Sequence, residues 1–156
     1  MSARVEAVSA EEQLSHFLGM YEPAIAAGAR EVRARLQALL PGAVELVYDN
    51  YNALVIGYGP TERPSEAILS IAVMPRWVTL CFLWGVRLSD PHGLLRGSGH
   101  QVRNIRLVSP ADLDQAPIRD LIEQAIALSA PPTDPARPAT LIIRSVSAKQ
   151  RPRKPQ

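Results

Sequence analysis

The hydrophobic positions of this chain change period twice, and the changes divide it into helix, sheet and helix. Leu14, Phe17 and Leu18 recur at three- and four-residue spacing behind Ser9, with Glu11 and Glu12 in the first turn. That pattern predicts a short capped helix ending near Gly19. Pro23 suits a first helical turn. After it, Ile25, Ala29, Val32, Leu36 and Leu39 keep the same spacing and predict a second helix to about Leu40. Arg30, Arg33 and Arg35 interleave with this stripe and read as a solvated face, with Glu31 and Arg35 as an i,i+4 pair. Pro41 and Gly42 stop the helix, and the period then becomes that of strands.

"AVELVY" and "NALVIGY" flank a turn at Asp49 and Asn50, while "EAILSIAVM" and "WVTLCFLW" flank a reversal at Pro75 and Arg76. Because the second pair is nearly apolar throughout, helices or loops are expected over one face of the sheet, and a partner or tight loop over part of the other. "QVRNIRL" reads as a fifth strand, in which Arg103 and Arg106 fall on opposite faces. Ser109, Pro110 and Asp112 form a partial capping box, and Pro117 separates a helical turn from a longer helix running to Leu128. Ile118, Leu121, Ile122, Ala125 and Leu128 are then expected to close over the sheet. "SAPPTDPARPA" reads as a stiff connector, "TLIIRSV" as a strand that could join a sheet edge, and "SAKQRPRKPQ" as disordered. The expected fold is α+β: a small antiparallel sheet of about five or six strands against amino-terminal and carboxy-terminal helices. Residues 11–130 form the domain, 131–145 the connector and edge strand, and 146–156 a basic disordered tail.

At 156 residues the chain is long enough for one domain with a core of its own. Neither a leader-like opening nor an apolar run of membrane-spanning length stands out, so a cytoplasmic protein is expected. The formal charge of +2 hides an asymmetry, for residues 131–156 carry +5 and residues 1–130 carry −3. The high isoelectric point is therefore weak evidence that the folded part binds nucleic acid, and weak, salt-sensitive contact by the tail is the form left open. Cys81, the single cysteine, lies within "WVTLCFLW" and reads as a small hydrophobe. Glu45 and Asp49 read as cap or turn residues rather than a catalytic pair. With no nucleophile and oriented base in view, no enzyme is expected.

The candidate chemistry sits in "GLLRGSGHQVRNIRL". Two glycines around a serine let successive amides point inward at an anion, with Arg96, His100 and Arg103 supplying charge. The candidate ligand-binding residues are Arg96, Gly97, Gly99, His100, Arg103 and Arg106. A turn that returns the chain to the sheet is the competing reading. The loop enters a strand rather than a helix, which excludes a dinucleotide fingerprint, and it lacks the lysine and hydroxyl ending of a nucleotide phosphate loop. His16 and His92 have no ligand spacing with His100, whose expected role is at the surface or in a hydrogen bond.

With its flanks, the stretch "GVRLSDPHGLLRGSGHQVRNIRL" resembles the YdhG-like domain family over about residues 11–130. The shared pattern is a D-P-x-G-L-L loop, a G-x-G turn and an R-x-x-R strand, represented by Asp90, Pro91, Gly93, Leu94, Leu95, Gly97, Gly99, Arg103 and Arg106. The resemblance implies no catalytic triad and no cofactor. Because some relatives are described as frataxin-like iron chaperones, it implies an alternative of iron binding or delivery. Iron favours carboxylate oxygens, and the sequence offers Asp112, Asp114, Asp120 and Glu123 on the late helical segment and Glu11 and Glu12 on another helix, which capping and solubility explain better. Relatives commonly have lysine at His100 and often histidine at Asn104, so anion binding here should be weaker near neutral pH. The resulting expectation is a non-enzymatic binding protein that recognises a small anion or an acidic partner through this loop. Its oligomeric state is open.

Overall fold

The computed structural model describes residues 8–156, so residues 1–7, from which the expectation about a leader was partly drawn, lie outside the described residues. Helix α1 spans Ala10–Leu18, and the Ser9 hydroxyl accepts the Glu12 amide at 3.1 Å. Helix α2 spans Pro23–Leu39 with proline in its first turn. The strands are β1 (Val44–Asp49), β2 (Leu54–Gly59), β3 (Leu69–Val73), β4 (Val78–Phe82) and β5 (Arg103–Leu107). A capped 3-10 turn at Pro110–Asp114 leads to α3 (Ala116–Ala127), and β6 (Thr140–Val146) follows. The fold is α+β, with one six-stranded sheet in the order β5-β4-β3-β2-β1-β6.

All three helices bury their apolar stripes on the same face of that sheet. Leu14 and Leu18 of α1, Val32 and Leu36 of α2, and Leu121 and Ile122 of α3 share one core with Leu54, Ile56, Tyr58, Leu69, Ile71, Leu80 and Phe82. Alternation along each strand follows from the two-residue period, since the residues between these core positions must point the other way. None of those intervening strand residues joins the core.

The sheet is mixed, not antiparallel as expected. Strands β1 to β5 pair antiparallel in sequence, but β6 runs parallel to β1, with Val44 beside Thr140 and Leu46 beside Ile142. The direction follows from the path of the connector. It returns to the end of the sheet where β1 begins, and there the Arg137 guanidinium donates to the Pro60 carbonyl at 2.9 Å. A strand entering beside the start of β1 can only run alongside it.

The expectation of disorder at 146–156 does not hold. The Ser147 amide bonds to the Asp49 carbonyl at 2.8 Å and the Arg151 amide to the Tyr51 carbonyl at 2.9 Å, which lays the tail over the β1–β2 turn. There Arg153, only 6% exposed, donates to the Asp49 carboxylate at 2.9 Å, and Asp49 is 5% exposed. Tyr21 closes the same end, with its hydroxyl donating to the Val73 carbonyl at 2.7 Å and accepting the Leu54 amide at 3.1 Å. A proline-rich basic composition argues for solvation. Here it is overridden by a buried carboxylate that needs a cation.

Because Arg153→Ala leaves Asp49 buried without its partner, it should lower unfolding stability by about 3 kcal/mol, whereas exposed Lys154→Ala should be nearly neutral. Urea denaturation of the two variants checks this; equal midpoints would mean that the tail is not seated.

Candidate binding face

The glycine and arginine loop is first of all a structural element. The Asp90 carboxylate accepts the amides of Leu94 and Leu95, each at 2.9 Å, and Gly93 takes a left-handed conformation (φ 62°). That turn presses Leu88, Leu94 and Leu95 against the core. Gln124 on α3 fixes the loop from the other side, accepting the Ser89 amide and donating to the Ser89 carbonyl. The D-P-x-G-L-L stretch is thus explained by capping, backbone conformation and burial.

Arg103 does not converge with Arg96 on a shared ligand. Its side chain is on the helix-covered side of the sheet, since Arg103 pairs with Phe82, and its stem fills the space beside Gly85, where even a methyl group would collide with it. The guanidinium donates to the carbonyls of Gly99 at 2.7 Å and Val102 at 2.8 Å. In a trans peptide the N–H points opposite to the C=O. The His100 amide, which shares a peptide with the Gly99 carbonyl, therefore points away from the Arg103 charge. Cation and amide do not form one cradle there, and His100 is exposed in the loop.

Arg96 and Arg106 are the pair that the fold brings to one face. Arg96 forms an antiparallel bridge with Asn104, with amide-to-carbonyl distances of 2.8 and 2.9 Å. Directly opposed residues share a face. Arg106 lies two residues beyond Asn104, hence also on that face, with its guanidinium 3.6 Å from the Trp77 ring centroid. Both arginines are exposed, and neither is paired with a carboxylate among the described residues.

This is the face opposite the helices. Register across the sheet sets Ile142, Leu46, Gly57, Ser70, Cys81 and Asn104 in one row, and Ser145, Tyr48, Val55, Ala72, Thr79 and Arg106 in the next. Ser70, Ala72, Thr79 and Cys81 are half-buried, although no helix covers them. Burial pushes the Cys81 thiol above its ordinary pKa, with a hydrogen bond to Ser70 partly offsetting the shift. The Tyr48 hydroxyl is shielded from solvent and has no hydrogen-bond partner among the described residues.

The only carboxylates in the six strands are Glu45 and Asp49, both on the helix side. Glu45 accepts Arg33 at 2.9 Å and Gln37 at 2.9 Å, and Arg33 continues to Glu11 at 2.7 Å. The hydrogen bond from Arg33 holds Glu11 below its usual pKa. Arg33 is held above its own by Glu11 and then Glu45. Burial, with the Glu45 carboxylate nearby, raises the Tyr58 hydroxyl well above the tyrosine range. Arg33, expected on a solvated face, is instead the link between helices and sheet.

Of the acids considered for iron, Glu11 and three aspartates are engaged elsewhere, while Glu12 and Glu123 are exposed with no side-chain partner among the described residues. Asp112 accepts the Val108 and Ser109 amides, Asp114 pairs with Arg35 and Arg119, and Asp120 accepts Gln124. Among the described residues no group of three histidine, cysteine, aspartate or glutamate side chains could hold a metal ion, and no helix is long and apolar enough to cross a membrane. In comparisons with known proteins, the chain matches no family model, no curated protein and no solved structure.

Two outcomes follow for the residues of this region. Arg103→Ala should speed amide exchange across residues 97–102 and cost about 1 to 3 kcal/mol, because two carbonyls lose a charged donor; unchanged exchange would refute the bracing role. Cys81 should react with iodoacetamide more slowly than a free thiol near neutral pH, accelerating only as pH rises above the usual thiol range. Mass spectrometry across a pH series measures this.

Proposed function

We propose that this chain is a non-enzymatic binding protein that takes an acidic partner surface on the bare face of its sheet, with Arg96 and Arg106 as the recognising cations. The observation that carries the reading is the sorting of charge. Two unpaired arginines stand on a face to which the strands contribute no carboxylate. An acidic surface approaching that face gains attraction from both arginines and meets no opposing strand charge. Arg106 is also held in place by its stack on Trp77, so less side-chain freedom is lost on binding.

The alternative of a small anion held in the loop has less support. Its cradle would need Arg103, which is occupied by two carbonyls, and the bare face is a broad surface better suited to an extended partner. The likeness to YdhG-like domains adds that this loop recurs in a family of small domains and brings no activity with it. Iron delivery has less support: Asp112 and Asp114 serve as cap and ion-pair partner, and the exposed Glu12 and Glu123 belong to no metal-holding group among the described residues.

The test is an NMR titration of the labelled full chain with poly-glutamate at low salt, beside inorganic phosphate. Shifts should concentrate at Ser70, Thr79, Cys81 and Asn104, and Arg96→Ala with Arg106→Ala should weaken poly-glutamate binding about tenfold or more, in a salt-dependent manner. Shifts confined to residues 97–100 and produced equally by phosphate would return the site to the loop. Retained affinity in the double variant would refute the proposal.

A further inference from the structure

The bare face has a shape as well as a charge, and one residue on it has no explanation among the described residues. Gly57 sits in the middle of β2, paired in regular register with Leu46 on one side and Ser70 on the other. A glycine inside a strand forfeits side-chain packing and costs chain entropy, so it usually marks a bulge or the close approach of another group. Gly59, two residues on and on the same face, illustrates the second case. A methyl group there would lie 3.2 Å from the Ala67 Cα and the Glu66 carbonyl oxygen, because the chain's own backbone passes over it. Gly57 is buried, yet among the described residues no segment other than the paired strand β1 comes within 4 Å of a methyl group placed there. The nearest atom to an added methyl is the neighbouring Leu46 carbonyl oxygen, at an ordinary 3.8 Å, and its backbone is not left-handed.

The small side chains around Gly57 are bounded on both sides. On this face β2, β3 and β4 present Val55, Gly57, Ser70, Ala72, Thr79 and Cys81, whereas β1 and β6 present Leu46, Tyr48 and Ile142, and the far edge presents Trp77, Asn104, Arg96 and Arg106. With strands about 4.8 Å apart, β2 to β4 spans about 10 Å, which is about the diameter of one α-helix. Resting on the reading that this face takes an acidic partner, we propose that the occupant is an amphipathic acidic helix of another protein. It lies along β2 to β4, its apolar stripe over Gly57, Ala72 and Cys81 and its carboxylates on Arg96 and Arg106.

Charge decides among the occupants. A second copy placed face to face would offer these arginines no strand carboxylate in either alignment of the sheet edges. A single-stranded nucleic acid would need aromatic platforms along its path. The centre of the face offers none, and the Trp77 ring is already stacked with Arg106. An apolar helix flanked by glutamates satisfies both the trough and its cationic rim.

The experiment compares two synthetic 18-residue peptides of identical composition. One carries leucines at i, i+3, i+4 and i+7 spacing with flanking glutamates, and the other is scrambled so that no stripe forms. Affinities for the full chain are read by fluorescence anisotropy, and occupancy of the face by slowed iodoacetamide labelling of Cys81. The patterned peptide should bind at least tenfold more tightly than its scramble, become helical and protect Cys81. Gly57→Val, which fills the trough, should lower its affinity about tenfold while keeping the thermal stability of the parent. Ala72→Leu is the second variant, should the first not fold. If both peptides bind alike, insensitive to Gly57→Val and Ala72→Leu but lost in the arginine double variant, the helix is refuted and the acidic-partner reading stands. If neither peptide binds, both fall. Tighter binding of a poly-uridine oligonucleotide, or self-association that itself protects Cys81, also overturns the inference.

Discussion

Three helices and one sheet can share a single core only if the helices lie on one side, and every other feature of this protein follows from that asymmetry. The stripes of α1, α2 and α3 all enter the layer made by Leu54, Ile56, Tyr58, Leu69, Ile71, Leu80 and Phe82. The strand period then commits Gly57, Ser70, Ala72, Thr79 and Cys81 to the opposite face. Those side chains are small, and such a face exposes little apolar surface even where no helix covers it. The centre of the sheet, over β3 and β4, tolerates the lack of a helix because its residues there are short, while Leu46 on the same face is only 3% exposed.

Charge obeys the same division. Glu45 and Asp49 point to the covered side, where burial would be costly without partners, and each is answered by an arginine from elsewhere in the chain. Arg33 reaches Glu45 from α2, and Arg153 reaches Asp49 from the carboxy-terminal segment. Pairing these acids on the helix side leaves Arg96 and Arg106 without opposing strand charge on the other. The cationic character of the bare face thus arises as much from where the carboxylates went as from where the arginines stand.

The glycine and arginine loop mixes two roles that composition cannot separate. Arg103 and Arg106 are three residues apart in one strand, and the strand turns one inward to brace two carbonyls and the other outward onto Trp77. Arg96, which precedes both glycines, becomes a neighbour of Asn104 through the bridge on the outer edge of β5. Turn geometry accounts for Asp90, Gly93 and the two leucines, while the exposed arginines are the part that structure alone does not require.

What the sequence determined by itself was periodicity and its punctuation. The caps at Ser9 and Ser109, the breaks at Pro23, Pro41 and Pro117, and the strand alternation are local signals, and they located three helices and the strands near where they lie. The opposite placement of Arg103 and Arg106 was legible for the same reason, as it needs only a period of two. Tertiary structure decided the pairings between distant segments: β6 parallel to β1, Arg153 seated on Asp49, Arg33 on Glu45, and Arg96 beside Asn104 on the open face. Such contacts depend on where the connector returns the chain and on which buried charge still lacks a counterion. Neither quantity is encoded in a local window of residues, and so the bare face and its two arginines emerge only when the sheet is assembled.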